Sequence, residues 1–287
     1  MRAAIILLFS LAAGGERIRV LIIDGQNNHA WQQTTPVLKK ILEDAGKFTV
    51  DVATSPPRGG DMTTFHPDFS GYSVVVSNYN GEAWPAKVGL EFENWVEQGG
   101  GFVSVHAADN AFRKWTGYQE MIAVGGWGGR QSGPATPVAR LREGKQVLDT
   151  EEGPCGRHGA RKPFAVTMRD TDHPVSKGLP PVWMHSPDEL YNHLCGPAKD
   201  LTILGTAFSD PENKGTGEHE PVLMAIRYGR GRVFHTTLGH DISAMQDVGF
   251  IATLQRGAEW AATGNVTMPV PTDFPTATEV RSRQLLP

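Results

Sequence analysis

The sequence predicts an α/β protein, a single doubly wound domain built on a mostly parallel sheet, and three features predict it. Residues 18–24 (Ile-Arg-Val-Leu-Ile-Ile-Asp) are a near-continuous apolar run ending in a carboxylate. Such runs suit a central strand buried on both faces. Helix and strand signals then alternate as far as residue 105, the pattern of βαβ crossovers, each expected to be right-handed. Finally, Gly99-Gly100-Gly101 closes a helix, residues 102–105 make a short buried strand, and His106 stands where that strand must turn. This layout lifts one side chain to the carboxyl edge of a parallel sheet, as in the nucleophile elbow of α/β enzymes.

The remaining elements follow in order. A polar loop, Gly25-Gln26-Asn27-Asn28-His29-Ala30-Trp31, succeeds the first strand. Thr35-Pro36 reads as a helix cap and first turn; Val37, Leu38, Ile41, Leu42 and Ala45 form its apolar face, and Gly46 the stop. Strands are expected at 48–52 and 72–77. Trp84-Pro85 opens a second helix with Val88, Phe92, Trp95 and Val96 facing inward. Residues 125–162, dense in glycine, proline and charge without a period, read as an irregular insertion above the sheet. Strand character resumes at 164–168, 201–207, 222–228 and 232–237. The last two, joined by Gly229-Arg230-Gly231, predict a hairpin at one edge of the sheet. A helix over 250–262 closes a domain of residues 16–265, and the Pro- and Thr-rich residues 266–287 read as a surface-hugging tail.

Composition narrows the function. With 27 Lys and Arg against 31 Asp and Glu, the net charge of −4 argues against a nucleic-acid partner, and no basic run interleaved with aromatics appears. Arg2, the apolar residues 3–13 and the small Ala12-Ala13-Gly14 read as a signal peptide over residues 1–15. At this length it is too short to insert as a membrane span, which needs roughly 20 apolar residues. The expected location is therefore periplasmic or extracellular. There Cys155 and Cys195 can form a disulfide, though two cysteines make no framework. Nothing in the sequence speaks to oligomeric state.

Ligands of open α/β sheets gather beyond the carboxyl ends of the strands. Asp24, Asn28, His29 and Trp31 follow the first strand and His106 the fourth; Asp188-Glu189-Leu190-Tyr191 follows Trp183-Met184-His185, and Leu238-Gly239-His240-Asp241 follows the last strand. We take His106, Glu189, His240 and Asp241 as candidate catalytic residues, with Asp24, Asn28, His29, Trp31 and Tyr191 as candidate substrate-binding residues. Each has a structural alternative. His106 can be a core histidine bonded to backbone, Asp241 a helix cap before Ile242-Ser243-Ala244, and Glu189 an ion-pair partner. His173, before Pro174, reads as a structural strand terminator. His66, His158, His193 and His219 read as solvated loop residues.

These segments, in this order, resemble the ThuA-like (trehalose-utilisation) family over about residues 18–262. The carriers are the strand followed by His29-Ala30-Trp31, the glycine-rich approach to Val105-His106, and His173-Pro174-Val175-Ser176-Lys177-Gly178-Leu179. Asp188-Glu189-Leu190-Tyr191 and Tyr228-Gly229-Arg230-Gly231-Arg232-Val233-Phe234 with Leu238-Gly239-His240-Asp241 complete the set. The resemblance implies a class I glutamine amidotransferase-like (flavodoxin-like) fold and a link to disaccharide or oxidised-sugar catabolism. In that superfamily the elbow residue is cysteine; here it is His106, and neither cysteine follows an elbow, so amidotransferase chemistry is excluded. One departure is Gly125-Gly126-Trp127-Gly128-Gly129-Arg130, where the family pattern leads one to expect a histidine.

Three functional readings remain on the sequence alone. In the first, His106 is a general acid or base without any cofactor, oriented by Glu189 or Asp241 and acting on a small carbohydrate such as a keto-disaccharide or glycoside. In the second, His29, His106, Glu189 and His240 bind a divalent metal; no His-Glu-x-x-His helix supports it, and ligands from scattered loops leave no spacing signature. In the third, Trp31, Trp127 and Trp183 line a pocket that binds sugar without altering it.

Overall fold

The computed structural model describes residues 17–285, so the expected signal peptide lies outside the described residues. In chain order the elements are β1 (Ile18–Asp24), α1 (Trp31–Asp44), β2 (Phe48–Thr54), β3 (Val74–Ser77), α2 (Ala86–Glu97), β4 (Gly101–Val105) and α3 (Thr116–Ile122). Four short strands follow: β5 (Gln131–Ser132), β6 (Val138–Arg142), β7 (Lys145–Asp149) and β8 (Gly153–Pro154). The chain ends with β9 (Lys162–Met168), β10 (Val182–Asp188), β11 (Leu201–Phe208), β12 (His219–Tyr228), β13 (Gly231–Thr236), α4 (Ile242–Met245) and α5 (Val248–Thr263). Nine strands form one sheet in the order β10-β9-β11-β12-β13-β4-β3-β1-β2. From β13 to β2 neighbours run parallel; from β10 to β13 they run antiparallel.

The two faces of β1 explain its unbroken apolar run. Val20 and Ile22 join the core beneath α1 and α5, and Leu21 and Ile23 the core beneath α2 and α3. A strand sandwiched this way cannot alternate polar and apolar residues. Each such side chain contributes roughly 1.5–3 kcal/mol on burial. β4 lies between β3 and β13, inside the sheet as the elbow requires.

Several expectations need correction. Helix α1 starts at Trp31 rather than Thr35, because the N–H groups of Gln33 and Thr34 already bond the Ala30 carbonyl. Pro36 falls within it and forfeits only the bond to exposed Gln32. The β12–β13 hairpin is not at the edge: β13 pairs with β4, so it joins the parallel and antiparallel halves. The 125–162 insertion contains paired strands, β5 with β8 and β6 with β7. His219 belongs to β12 rather than a loop. Pro187 sits in β10, which as an edge strand tolerates a missing ladder donor.

Two stretches of the family pattern prove to be scaffolding. The loop 173–179 is tied down by buried Arg256, which donates to the carbonyls of Pro174, Val175 and Lys177, and His173 packs its ring on Trp260. Arg232 after the 229–231 turn donates to the carbonyls of Trp260, Ala261 and Ala262 at the end of α5. Residues 266–285 are bonded back to the domain: the Thr276 carbonyl accepts from the Met184 N–H and the Arg281 carbonyl from that of Val248, and Met268, Phe274 and Leu285 join the core.

Cys155 and Cys195 are joined by a disulfide, with Cα atoms 5.8 Å apart and a sequence separation of 40. Closing a loop of that size restricts the unfolded chain by about 4 kcal/mol in the chain-entropy view. We therefore expect Cys155→Ala/Cys195→Ala to lower the melting temperature by about 10 °C in calorimetry. An unchanged midpoint would show that the bridge carries no stability.

Candidate active site

Alternating directions across the sheet send β10, β13, β4 and β1 to the same edge with their carboxyl ends. Each is followed there by one or two polar residues of the candidate site: Glu189, His240, His106 and His29 respectively. β10 is remote from β4 in strand order, and the irregularity between His185 and Asp188 bends its end. The four side chains meet. One ligand atom from each lies within 4.8 Å of the other three.

His106 occupies the elbow with φ of 45°, a left-handed conformation that a non-glycine residue adopts only under constraint. Its Nδ1 lies 2.6 Å from the Thr237 carbonyl, across the β4–β13 pair. Since a carbonyl only accepts, Nδ1 carries the proton and Nε2 presents a lone pair, with no hydrogen-bond partner, 3.7 Å from Glu189 Oε2. His29 repeats the arrangement. Its Nδ1 donates to the side-chain oxygens of Asn27 and Asn28, and its Nε2 stands 3.9 Å from Glu189 Oε2. His240 presents Nδ1, 3.1 Å from the same oxygen and likewise without hydrogen-bond geometry. The three rings are mutually near-perpendicular, at 82°, 87° and 84°.

Burial disfavours charge on Glu189, but the three imidazoles hold its carboxyl well below the usual range. Burial lowers His29, with partial compensation from Glu189. Burial also opposes a proton on His106, yet Glu189, Asp188 and the Thr237 carbonyl together raise it.

Behind these residues is a second layer, which the sequence did not disclose. Asp188 is fully buried and its carboxylate accepts from the N–H groups of Glu189 (2.7 Å), Gly239 (2.7 Å) and His240 (3.2 Å). One side chain thereby fixes both loops that carry Glu189 and His240. His185 stands between two carboxylates, 2.9 Å from Asp188 and 3.2 Å from Asp247, and is pushed up to about 9 by them despite its burial. Asp247 in turn caps α5 through the Phe250 N–H and binds Ser186. On the rim of β3, Asn78 ties the His29 loop to α1, accepting from Asn27 and donating to Thr34 and Thr35.

The cluster opens into a pocket of about 480 Å³ lined by Asn28, His29, Glu189, Tyr191 and His240 among the expected residues. Arg58, Asn80, Trp127 and His158 also line it; of these the sequence points only to Trp127. His158 is an exposed loop residue, as expected, and it also reaches the site: its Nδ1 is 3.7 Å from Glu189 Oε1. Four expected residues are placed elsewhere. Asp241 caps α4 through the Ala244 N–H and pairs with Arg161 at 2.6 Å, so capping accounts for it. Asp24 is buried beside Thr54 and Thr35, and Trp31 opens α1; neither lines the pocket. Trp183 is wholly buried against Gly249, which excludes it as a sugar-facing wall.

Two expectations follow. Asp188→Asn should loosen both ligand-bearing loops and cost 3–5 kcal/mol or more, roughly the effect of breaking a buried charge pair, in urea denaturation; wild-type stability would contradict the role. His185 has a folded pKa above its unfolded one, so its stabilisation is complete below about pH 6.5 and fades as pH rises through about 9. Wild-type protein should lose on the order of 3 kcal/mol across that window, and His185→Gln should flatten the profile. Parallel profiles would show that His185 does not carry the charge.

The family model for ThuA, trehalose utilisation, matches residues 19–261. Among solved structures, a putative ThuA-like protein from Parabacteroides merdae is 48% identical, with a TM-score of 0.90 over 93% of this chain and 98% of that one. A putative ThuA-like protein from Bacteroides uniformis shares the fold at 19% identity and TM-score 0.54, over 89% and 95%. A β-galactosidase from Rahnella sp. R3 contains a like fold at 15% identity and TM-score 0.50, over 90% of this chain but 33% of its own. A search of curated proteins found no match. The chain belongs to the ThuA family, linked to trehalose utilisation.

Proposed function

We propose that this chain is an exported, metal-assisted enzyme of sugar catabolism that cleaves a keto-disaccharide or glycoside. The observation that carries the reading is the convergence of three imidazole nitrogens on one carboxylate oxygen, two of them buried without a hydrogen-bond partner. Buried polar atoms are normally paired. Two of the rings also donate their other nitrogen to an oxygen, the second-shell arrangement that orients metal-binding histidines. His29 Nε2, His106 Nε2, His240 Nδ1 and Glu189 Oε2 would hold the cation, and an imidazole-rich set with one carboxylate suits a divalent transition metal. When bound, such a cation polarises a carbonyl oxygen or lowers the pKa of water. Export is supported by the signal-like N-terminus and by the disulfide, which persists in oxidising compartments.

The chemistry suits a sugar oxidised to a ketone at the carbon two removed from the anomeric centre. Removal of the proton between them leaves an electron pair that forms a carbon–carbon double bond as the glycosidic oxygen departs; the departing alkoxide takes up a proton, so atoms and charge balance. His158, which lines the pocket beside Glu189 Oε1 and lies outside the ligand set, is the imidazole left to receive the abstracted proton. Tyr191, whose hydroxyl burial holds well above its usual pKa, keeps its proton and serves as a donor. A cofactor-free version retains one supporting observation, the raised proton affinity of His106 beside Glu189.

Incubation of the protein with trehalose, simple glycosides and their 3-keto forms, with and without chelator, tests the proposal. We expect turnover of keto forms that stops on chelation, returns with added divalent metal and falls at least about 10²-fold in His106→Ala. Turnover indifferent to chelation would replace the metal reading with acid/base chemistry at His106. Binding without turnover under every condition would contradict an enzyme.

A further inference from the structure

We infer that Trp127 is the sugar-stacking platform of this site and that the Cys155–Cys195 disulfide holds it in place. The inference rests on the carbohydrate reading above and adds the residue that recognises the ring. Trp127 lines the pocket partly buried, its indole 4.5 Å from the ring of Tyr191 and 6.0 Å from that of His158. Tyr191 in turn lies 4.2 Å from the His106 ring, so aromatic contacts run without a break from Trp127 to the reactive cluster. The indole N–H has no acceptor among the described residues, so it is available to a ligand hydroxyl. A flat apolar face beside a free donor matches a pyranose, whose C–H face is apolar and whose rim is hydroxylated. Asn28 and Asn80, bonded to each other, supply amide groups to the same pocket.

The backbone at Trp127 shows that the placement is enforced. Its φ is 54°, a left-handed value that disfavours a bulky residue. Its N–H donates to the Cys155 carbonyl (2.9 Å), while Gly125 exchanges hydrogen bonds with Cys195 (2.9 and 3.0 Å). The segment carrying the indole is thus laced to both cysteines of the bridge. At Gly156 a Cβ would lie 2.5 Å from the Trp127 nitrogen and 2.7 Å from its ring, so only glycine lets the two segments approach. Arg157 and Asn192 continue the pairing and set His158 and Tyr191 beside the indole. Disulfide, glycine and tryptophan form one unit. Trp127 touches substrate, and the bridge is a positioning element that acts through it.

Titration calorimetry on chelator-treated wild-type protein, with every residue of the cluster and the aromatic wall intact, separates recognition from chemistry. The probes are trehalose, its 3-keto form, and sorbitol as a hydroxylated control without a ring. We expect ring sugars to bind and sorbitol not to, with Trp127→Ala weakening the sugars at least tenfold and Trp127→Phe retaining most of the affinity. Cys155→Ala/Cys195→Ala should weaken binding similarly at a temperature where circular dichroism shows it folded, while leaving metal content before chelation unchanged. Equal affinity with alanine at 127 would overturn the platform, and full affinity in the folded cysteine variant would overturn the role of the bridge. Sugar binding without turnover in the wild type would instead count against the enzyme reading alone. No binding of either sugar would overturn both.

Discussion

The Asp188 carboxylate is the interaction on which this structure turns. Buried in the end of β10, it accepts the N–H groups of Glu189, Gly239 and His240 and is itself held by His185. A carboxylate taken out of water is tolerated only when its oxygens are satisfied by strong donors. Here the donors that satisfy it are the backbones of the two loops whose side chains face each other across the pocket. Electrostatic necessity and site geometry are thus the same constraint. His185 extends it to Asp247, and Asp247 caps α5, so the longest helix is connected to the reactive cluster through buried charge. An imidazole raised to about 9 between two carboxylates remains cationic at neutral pH and makes the arrangement affordable in a dry interior.

The sheet supplies the other half of the geometry. β4 and β13 run side by side and end level, which puts Thr237 next to His106 and fixes which imidazole nitrogen carries the proton. The elbow strain at His106 persists because strand pairing on both sides and the Thr237 contact determine that backbone together. A cation-binding centre made this way needs no sequence-local motif. Its residues come from four separate strand ends, and the fold itself is the spacing rule.

This explains what was legible in the sequence. Continuous apolar runs and glycine stops disclosed β1, β4 and the doubly wound half, since local periodicity reports burial on two faces. The site residues His29, His106, Glu189 and His240 were legible as a group because strand ends in such folds share a rim. Asp188 was not, although it adjoins Glu189, because its role depends on backbone donors that approach only after β10 bends at its irregular end. His158 lies in a stretch without periodicity, ordered by a disulfide and backbone pairing rather than by pattern; Trp127, in the same stretch, was legible only as one of three candidate aromatics. Asp241 misled for a local reason: the residue after a site histidine is also a good helix cap, and the cap accounts for it. The hairpin's position inside the sheet is not legible, because turn chemistry reveals that two strands pair, not which third strand lies beside them.

The central claim is that three imidazoles and one carboxylate act together as a single cation centre. Titration of metal-free protein with Co²⁺, followed by visible absorption, tests it most directly, because ligand-field bands report nitrogen and oxygen coordination rather than loose surface binding. The account predicts saturation at one ion per chain, with the bands lost in His29→Ala, His240→Ala and Glu189→Gln and with affinity weakened roughly 10- to 100-fold in Asp188→Asn. Absence of saturable binding, or equal binding when any of those ligands is replaced, would contradict it.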